Sequence, residues 1–281
     1  MEIQELNEWQ QISGRTVGAS YKSSITRFIT ESQFDILKAS YGDILSYIEE
    51  LRRKDISIRN LQNQLCAIKF YYDCLQELGK IAHHPCRGLY LKDKVDKRID
   101  VVSLYSEEEL ILLANRSFSY SSDVMKLRNK LMVSLLIHQG LKTSELVSLQ
   151  IDDLDLEEAV LNVRNKRKLN LESVQILPFY NYIKEAREQL KAGKETDILL
   201  LSKSGKRIDS STISSIINYK EKVKFIPRKV RQSVIYHLLK SGISLVKVQQ
   251  FAGHRYISST EVYQSGDLSD LQNAIEKYHP L

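Results

Sequence analysis

The stretch from residue 225 to residue 263 constrains the chain most, because it spaces four chemically active side chains along an amphipathic run. Arg228 and Arg231 lie three positions apart, so on a helix their guanidinium groups share one face and can bind one phosphate group. His254 closes a Gly-His pair, and Tyr263 follows nine residues later. Two cations, a hydrogen-bond donor and a phenolic nucleophile are the groups needed to attack a phosphodiester. The competing interpretation is a surface helix with solvated arginines.

The order of these groups resembles the tyrosine recombinase (phage integrase) family. That family carries His-x-Leu-Arg-His, then Leu-Gly-His, and then a tyrosine at the same distance from that histidine. The matching runs here are Arg-Lys-Val-Arg-Gln at 228–232, Ala-Gly-His at 252–254 and Thr-Glu-Val-Tyr at 260–263. Upstream, Gly-Leu-Lys-Thr-Ser-Glu-Leu at 140–146 is similar to the family's Gly-Leu-Arg-x-Ser-Glu-Leu box. The resemblance covers roughly residues 105 to 265.

The resemblance implies a site-specific DNA recombinase that cuts and rejoins DNA through a 3′-phosphotyrosine, without a metal ion, another cofactor or ATP. Tyr263 is the expected nucleophile, favoured over Tyr256 and Tyr278 by its spacing from His254. A lysine on a hairpin is expected to donate a proton to the leaving 5′ oxygen. The remaining catalytic candidates are Arg231, His254, Arg228, Lys142 and that hairpin lysine, for which Lys168 is favoured and Lys166 is the alternative.

Three positions depart from the family's pattern. Lys142 stands at the first arginine, where it keeps the charge but loses the bidentate fork. Arg228 stands at a His or Lys position and cannot exchange a proton near neutral pH, and Gln232 replaces a closing histidine. These departures leave open a degenerate recombinase that binds DNA and cleaves it little or not at all. A topoisomerase using the same chemistry is a third interpretation.

Hydrophobic periods predict a mainly α protein with a small antiparallel β-sheet. Residues 1–88 have helical periods over 23–37, 41–53 and 57–79, which predicts an N-terminal helical domain. Residues 89–104 are charged and aperiodic, as expected of an interdomain linker. Residues 105–281 predict an α+β domain. By the resemblance, the first domain is a core-binding domain for DNA and the second is the catalytic domain.

Local patterns predict how the second domain is built. Ser106 begins a Ser-x-x-Glu capping box, and an apolar helix over 125–139 ends at Gly140. Residues 159–165 and 172–177 are rich in β-forming residues and flank a basic run, which predicts a hairpin with a basic tip. Pro178 is expected to end its second strand, before a helix over 180–191.

The C-terminal segment, residues 267–279, predicts a short amphipathic helix. Its apolar side chains recur at spacings of three and four, at Leu268, Leu271, Ile275 and Tyr278. A helix of this length is marginal alone in water, so the apolar face must dock on something. Docking on its own domain is one possibility. The resemblance implies docking in trans, as an exchange helix in a DNA-bound homo-tetramer.

Composition bears on partners and location. The net charge of +6 and pI of about 9.0 favour a polyanionic partner, which the resemblance narrows to double-stranded DNA with inverted-repeat half-sites. Three cysteines without CxxC spacing indicate neither a disulfide framework nor a zinc site. The N-terminus does not have the pattern of a signal peptide, and no apolar run approaches membrane-spanning length. We therefore expect a cytoplasmic protein without a membrane partner.

Overall fold

The computed structural model describes residues 3–94, 99–118, 122–163 and 167–264. The chain divides into two compact units, Met1–Asp96 and Lys97–Leu281. The fold is mainly helical with one small antiparallel sheet, which confirms the predicted class. In the described ranges no helix is both long and apolar enough to cross a membrane. The predicted helix at 267–279 and the hairpin residue Lys166 lie outside the described residues.

The first unit packs three helices against a fourth. Helices α1 (Gln4–Ser13), α2 (Ala19–Glu31) and α3 (Tyr41–Arg53) surround α4 (Ile58–Glu77), which is the longest. Helix α3 has the bounds of the predicted helix over 41–53, and a capping box between Ser40 and Asp43 begins it. The predicted helix over 23–37 is wrong at its end: α2 stops at Glu31, and Asp35 caps a separate 3₁₀ turn at Ile36–Lys38.

The second unit is organised around one apolar helix. Helix α6 (Asp123–His138) buries Leu131, Met132, Val133, Leu135 and Leu136, as its apolar sequence predicted. Helix α5 (Glu107–Ala114) packs on it and begins at the predicted Ser106 capping box. Among its described residues, this unit also contains the α-helices α7 (Thr143–Leu146), α8 (Ser173–Asn181), α9 (Arg187–Lys191), α10 (Ile213–Ile217), α11 (Pro227–Lys240), α12 (Leu245–Ala252) and α13 (Ser258–Glu261).

The sheet is a three-stranded antiparallel meander. Its strands β1 (Leu154–Asp155), β2 (Val160–Val163) and β3 (Arg167–Asn170) pair in chain order. Leu161 lies opposite Leu169 in the register, and both are buried. Val163 lies opposite Arg167, next to the undescribed turn at residues 164–166. The inward face of β3 is therefore set by Leu169 and, two positions earlier, Arg167.

The predicted second strand over 172–177 is wrong. The strand comes earlier, as β3, and residues 173–181 form α8, which includes Pro178. A reciprocal capping contact explains the difference: Gln175 Oε1 accepts the Glu172 N–H at 2.8 Å and begins a helix there. Pro178 removes only one helical donor, and a π-helical turn at Tyr182–Ala186 joins α8 to α9.

A small apolar cluster joins α11, α12 and Tyr263. Ile235 and Tyr236 of α11 pack with Val248 and Ala252 of α12 and with Tyr263. Ile99, Val101 and Leu104 also pack against this cluster, so the end of the stretch predicted as a linker lies on the second unit. Tyr105 continues that attachment by donating its N–H to Ser233 Oγ at 2.9 Å.

Candidate active site

Helix α11 carries both arginines of the sequence box. Pro227 occupies its first turn, where the missing N–H has no helical partner to lose. Arg231 is 7% exposed, and its Nη1 and Nη2 donate to the carbonyls of Gly140 and Ala252. Arg228, one turn earlier, is exposed. The two arginines thus share a helix face but differ in setting, since one is buried and hydrogen-bonded and the other is open to solvent.

The loop after α6 presents Lys142. Gly140 takes a left-handed conformation with φ of 54°, and its carbonyl accepts from Arg231. Lys142 is exposed and lies at the N-cap of α7, where its N–H donates to Glu145 Oε2 at 2.9 Å. Lys142 is therefore exposed while its backbone is held by a buried carboxylate.

A buried ion pair lies under this loop. Arg167 of β3 donates from Nη1 and Nη2 to the two carboxylate oxygens of Glu145, both at 3.0 Å. The side chains are 8% and 10% exposed. Burial alone would raise the pKa of Glu145, but hydrogen bonds from Arg167 and from the Lys142 N–H outweigh it and hold that pKa below its ordinary value.

Arg167 is the site residue that the sequence analysis did not single out. It belongs to the basic run that was expected to form an exposed tip. The alternation of β3 distinguishes it, because Arg167 and the buried Leu169 share one face while Lys168 and Asn170 are exposed on the other. The sequence contains this period of two. The predicted second strand began at residue 172, however, so the alternation over 167–170 was not assigned to a strand.

The Gly-His turn sits at the end of α12. Gly253 adopts φ of 61° as the left-handed residue that ends the helix. His254 follows, and its Nδ1 lies 2.9 Å from Oγ1 of the fully buried Thr260. Burial, and then the charges of Arg231, Lys142 and Arg167, lower the pKa of His254 to about 4. The imidazole is therefore neutral at physiological pH.

Tyr263 stacks on that imidazole. The two ring centroids are 6.4 Å apart with an interplanar angle of 17°, and Tyr263 is 7% exposed. Burial raises the pKa of its phenol, whereas the charges of Arg231 and Arg228 oppose that rise. Tyr256, the neighbouring candidate, is 60% exposed, and Tyr278 lies outside the described residues.

Two cavities meet at Lys142. A smaller one of about 340 Å³ is lined by Lys142, Arg228, Arg231, Gln232 and Tyr263, among others. A larger one of about 1410 Å³ is lined by Lys142, Glu145, Arg167, Lys168 and His254, among others. Lys168, which is exposed and pairs with Asn162 in the sheet, is among the residues that line the larger cavity. The arrangement suits an anionic group beside the phenol, with further cations along the larger cavity.

In the described part of the chain, no three His, Cys, Asp or Glu side chains are grouped so that they could hold a metal ion.

Comparison with known proteins gives consistent matches. The family model described as "Phage integrase family" matches residues 104–268. The tyrosine recombinase XerC of Roseiflexus sp. is 26% identical over 93% of this chain and 86% of its own length. The tyrosine recombinase XerD of Listeria monocytogenes is 26% identical over 96% of this chain and 94% of its own. A structure of the XerH site-specific recombinase on a palindromic difH substrate shares the fold, with a TM-score of 0.69 and 16% identity over 92% of this chain and 78% of that one.

The low pKa of His254 predicts an acid-sensitive stability. Above pH 6.5 the ring is neutral in both folded and unfolded states; between 6.5 and about 4 only the unfolded chain takes up the proton, so stability falls as pH falls through that window. His254→Gln should reduce this slope in urea unfolding measured from pH 7 to pH 4. The exposed His83 supplies the matched control, His83→Gln, and equal slopes for both variants would contradict the assignment.

Proposed function

This chain belongs to the phage integrase family of tyrosine recombinases, and from that membership and its site geometry we propose that it is a site-specific DNA recombinase working through a 3′-phosphotyrosine. One observation carries the proposal. The phenol of Tyr263 lines the same cavity as Arg228, Arg231 and Lys142, so the nucleophile and three cations border one space. A phosphodiester seated there would have its non-bridging oxygens near positive charge.

The cleavage step follows from these groups. The Tyr263 oxygen attacks phosphorus and passes its proton to solvent, a P–O bond to the tyrosine forms, and the P–O5′ bond breaks as the leaving 5′ oxygen takes up a proton. Arg231, Arg228 and Lys142 stabilise the charge that builds on the two non-bridging oxygens. The phosphotyrosine conserves the energy of the phosphodiester, so the 5′ hydroxyl of a second DNA end can reverse the step and rejoin the strands.

The two remaining candidates, His254 and Lys168, have different roles. His254, with a pKa of about 4, is neutral at physiological pH, which suits a hydrogen bond to the phosphate rather than proton donation. The leaving 5′ oxygen needs a proton from elsewhere. Lys168 faces the larger cavity next to the site and carries an exposed ammonium group, which supports it as the general acid.

The expected substrate is double-stranded DNA with inverted-repeat half-sites, bound by a homo-tetramer. The net charge of +6 supports a DNA partner, and the XerH structure was solved on a palindromic DNA substrate. Inverted half-sites imply symmetry-related protomers. We extend the proposal to residues 1–88 as the core-binding domain and to residues 267–279 as the exchange helix between protomers.

Tyr263→Phe should abolish covalent trapping while half-site binding stays nearly unchanged, because only the attacking oxygen is removed. The measurement is formation of a detergent-resistant protein–DNA complex on a pool of nicked duplexes with randomised half-sites, beside a gel shift. Tyr256→Phe, at the 60% exposed tyrosine, is the control and should trap like the wild type. Trapping that persists in Tyr263→Phe would overturn the assignment.

Lys142 should behave as a weakened arginine. Lys142→Ala removes a charge-assisted hydrogen bond worth about 1.5–3 kcal/mol, so the cleavage rate should drop by roughly ten- to a hundredfold. Lys142→Arg should hold or raise the rate, because the guanidinium fork matches two phosphate oxygens. Lys203→Ala, at an exposed lysine that lines neither of these cavities, is the control. If Lys142→Ala cleaves like this control, Lys142 takes no part in the reaction.

Truncation after Gly266 should preserve binding to a single half-site and abolish assembly of four protomers on paired sites, since the apolar face of residues 267–279 would be lost. Leu271→Asp tests the same apolar face in the full chain and should likewise abolish the tetramer. Asn273→Asp adds the same charge on the opposite side of the predicted helix, so it is the control and should keep the tetramer. Light scattering on paired half-sites counts the protomers. Tetramers of the truncated protein would refute docking in trans, and unfolding of that protein would indicate docking in cis.

A further inference from the structure

Arg167 corresponds to none of the sequence boxes, yet it is buried at the meeting point of two of them. Its Nη1 and Nη2 groups both donate to Glu145, one to each carboxylate oxygen at 3.0 Å. The same carboxylate holds the Lys142 N–H at 2.9 Å. A chain of contacts therefore runs from β3 through Glu145 to the backbone of the residue that replaces the family's first arginine.

The other side of Arg167 contacts the histidine turn. A Cβ built on Gly253 would overlap Nη1 of Arg167, so the absence of a side chain there makes room for the guanidinium. Gly253 directly precedes His254 and also needs its left-handed φ of 61°. The packing of Arg167 thus limits where the His254 turn can lie, just as its ion pair limits the Lys142 loop.

We propose that Arg167 is a positioning residue of the active site, which fixes the Lys142 loop through Glu145 and the His254 turn through Gly253. The inference rests on the proposed function, because the reaction being positioned is DNA cleavage. The physical basis is geometric. A planar fork held at two points cannot be replaced by a lysine ammonium, which would keep the charge and lose the orientation.

A conservative substitution tests the orientation. Arg167→Lys should lower the rate of covalent complex formation on the order of ten- to a hundredfold, the range for one charge-assisted hydrogen bond, and leave half-site affinity within about threefold. Arg128→Lys is the matched control, because Arg128 is also buried and bonds a backbone carbonyl and Asn129 away from both cavities. The control should lose thermal stability but cleave at the wild-type rate at temperatures where it is folded. Equal rates for the two variants would overturn the proposal.

Gly253→Ala approaches the same contact from the other side and serves if Arg167→Lys does not fold. Its Cβ should displace the guanidinium and slow cleavage by a similar factor. In the double variant the two effects should not multiply, because both disturb one contact. Fully multiplicative losses would show that Arg167 and Gly253 act independently, against the proposal.

A measurement without DNA separates this inference from the proposed function. The NMR titration of His254, identified by its loss in His254→Gln, should move to higher pH in Arg167→Gln, since a nearby positive charge is removed from a ring also facing Arg231, Lys142 and Glu145. Arg167→Lys should move it less. If wild-type protein never traps DNA but the titration shifts, cleavage fails as a function while the close approach of Arg167 to the His254 turn still stands. An unchanged titration in Arg167→Gln would overturn the positioning role.

Discussion

The guanidinium of Arg231 is the element on which the site depends. An ion removed from water is tolerated only when its hydrogen bonds are supplied by the protein, and here two backbone carbonyls supply them. One carbonyl, of Gly140, lies two residues before Lys142. The other, of Ala252, lies two residues before His254. The Arg231 side chain on α11 therefore holds two loops. One of them carries Lys142 and the other carries His254.

Helix α11 can hold both loops in place because it is itself packed on two sides. Val230 and Val234 belong to the main core of the second unit, and Ile235 and Tyr236 belong to the small cluster that contains Tyr263. The helix can neither roll nor slide without exposing one of these apolar surfaces. The arginines and the tyrosine are consequently fixed relative to each other by hydrophobic packing, with the polar contacts adding orientation.

The charges around the site favour an anion. Burial, and then the positive charges of Arg231, Lys142 and Arg167, lower the pKa of His254 and keep its imidazole neutral. The phenol of Tyr263 experiences opposing effects, because burial disfavours its ionised form and two arginines favour it. A phosphate entering the cavity would offset the repulsion among the cations. Binding of the proposed substrate would therefore lower the electrostatic free energy of the site relative to the free protein.

The sequence by itself determined the elements whose stability is local. The helices beginning at Ser40 and Ser106 carry their own capping boxes and apolar periods, and both were found where predicted. It misplaced the second hairpin strand, because the β-forming composition of 172–177 concealed the Glu172–Gln175 contact that begins α8. The partners of Arg167 and Arg231 were decided only by the tertiary structure. Glu145 is 22 residues from Arg167, and the two carbonyls are 91 and 21 residues from Arg231. Such contacts depend on how separate elements pack, and no local period or spacing encodes them.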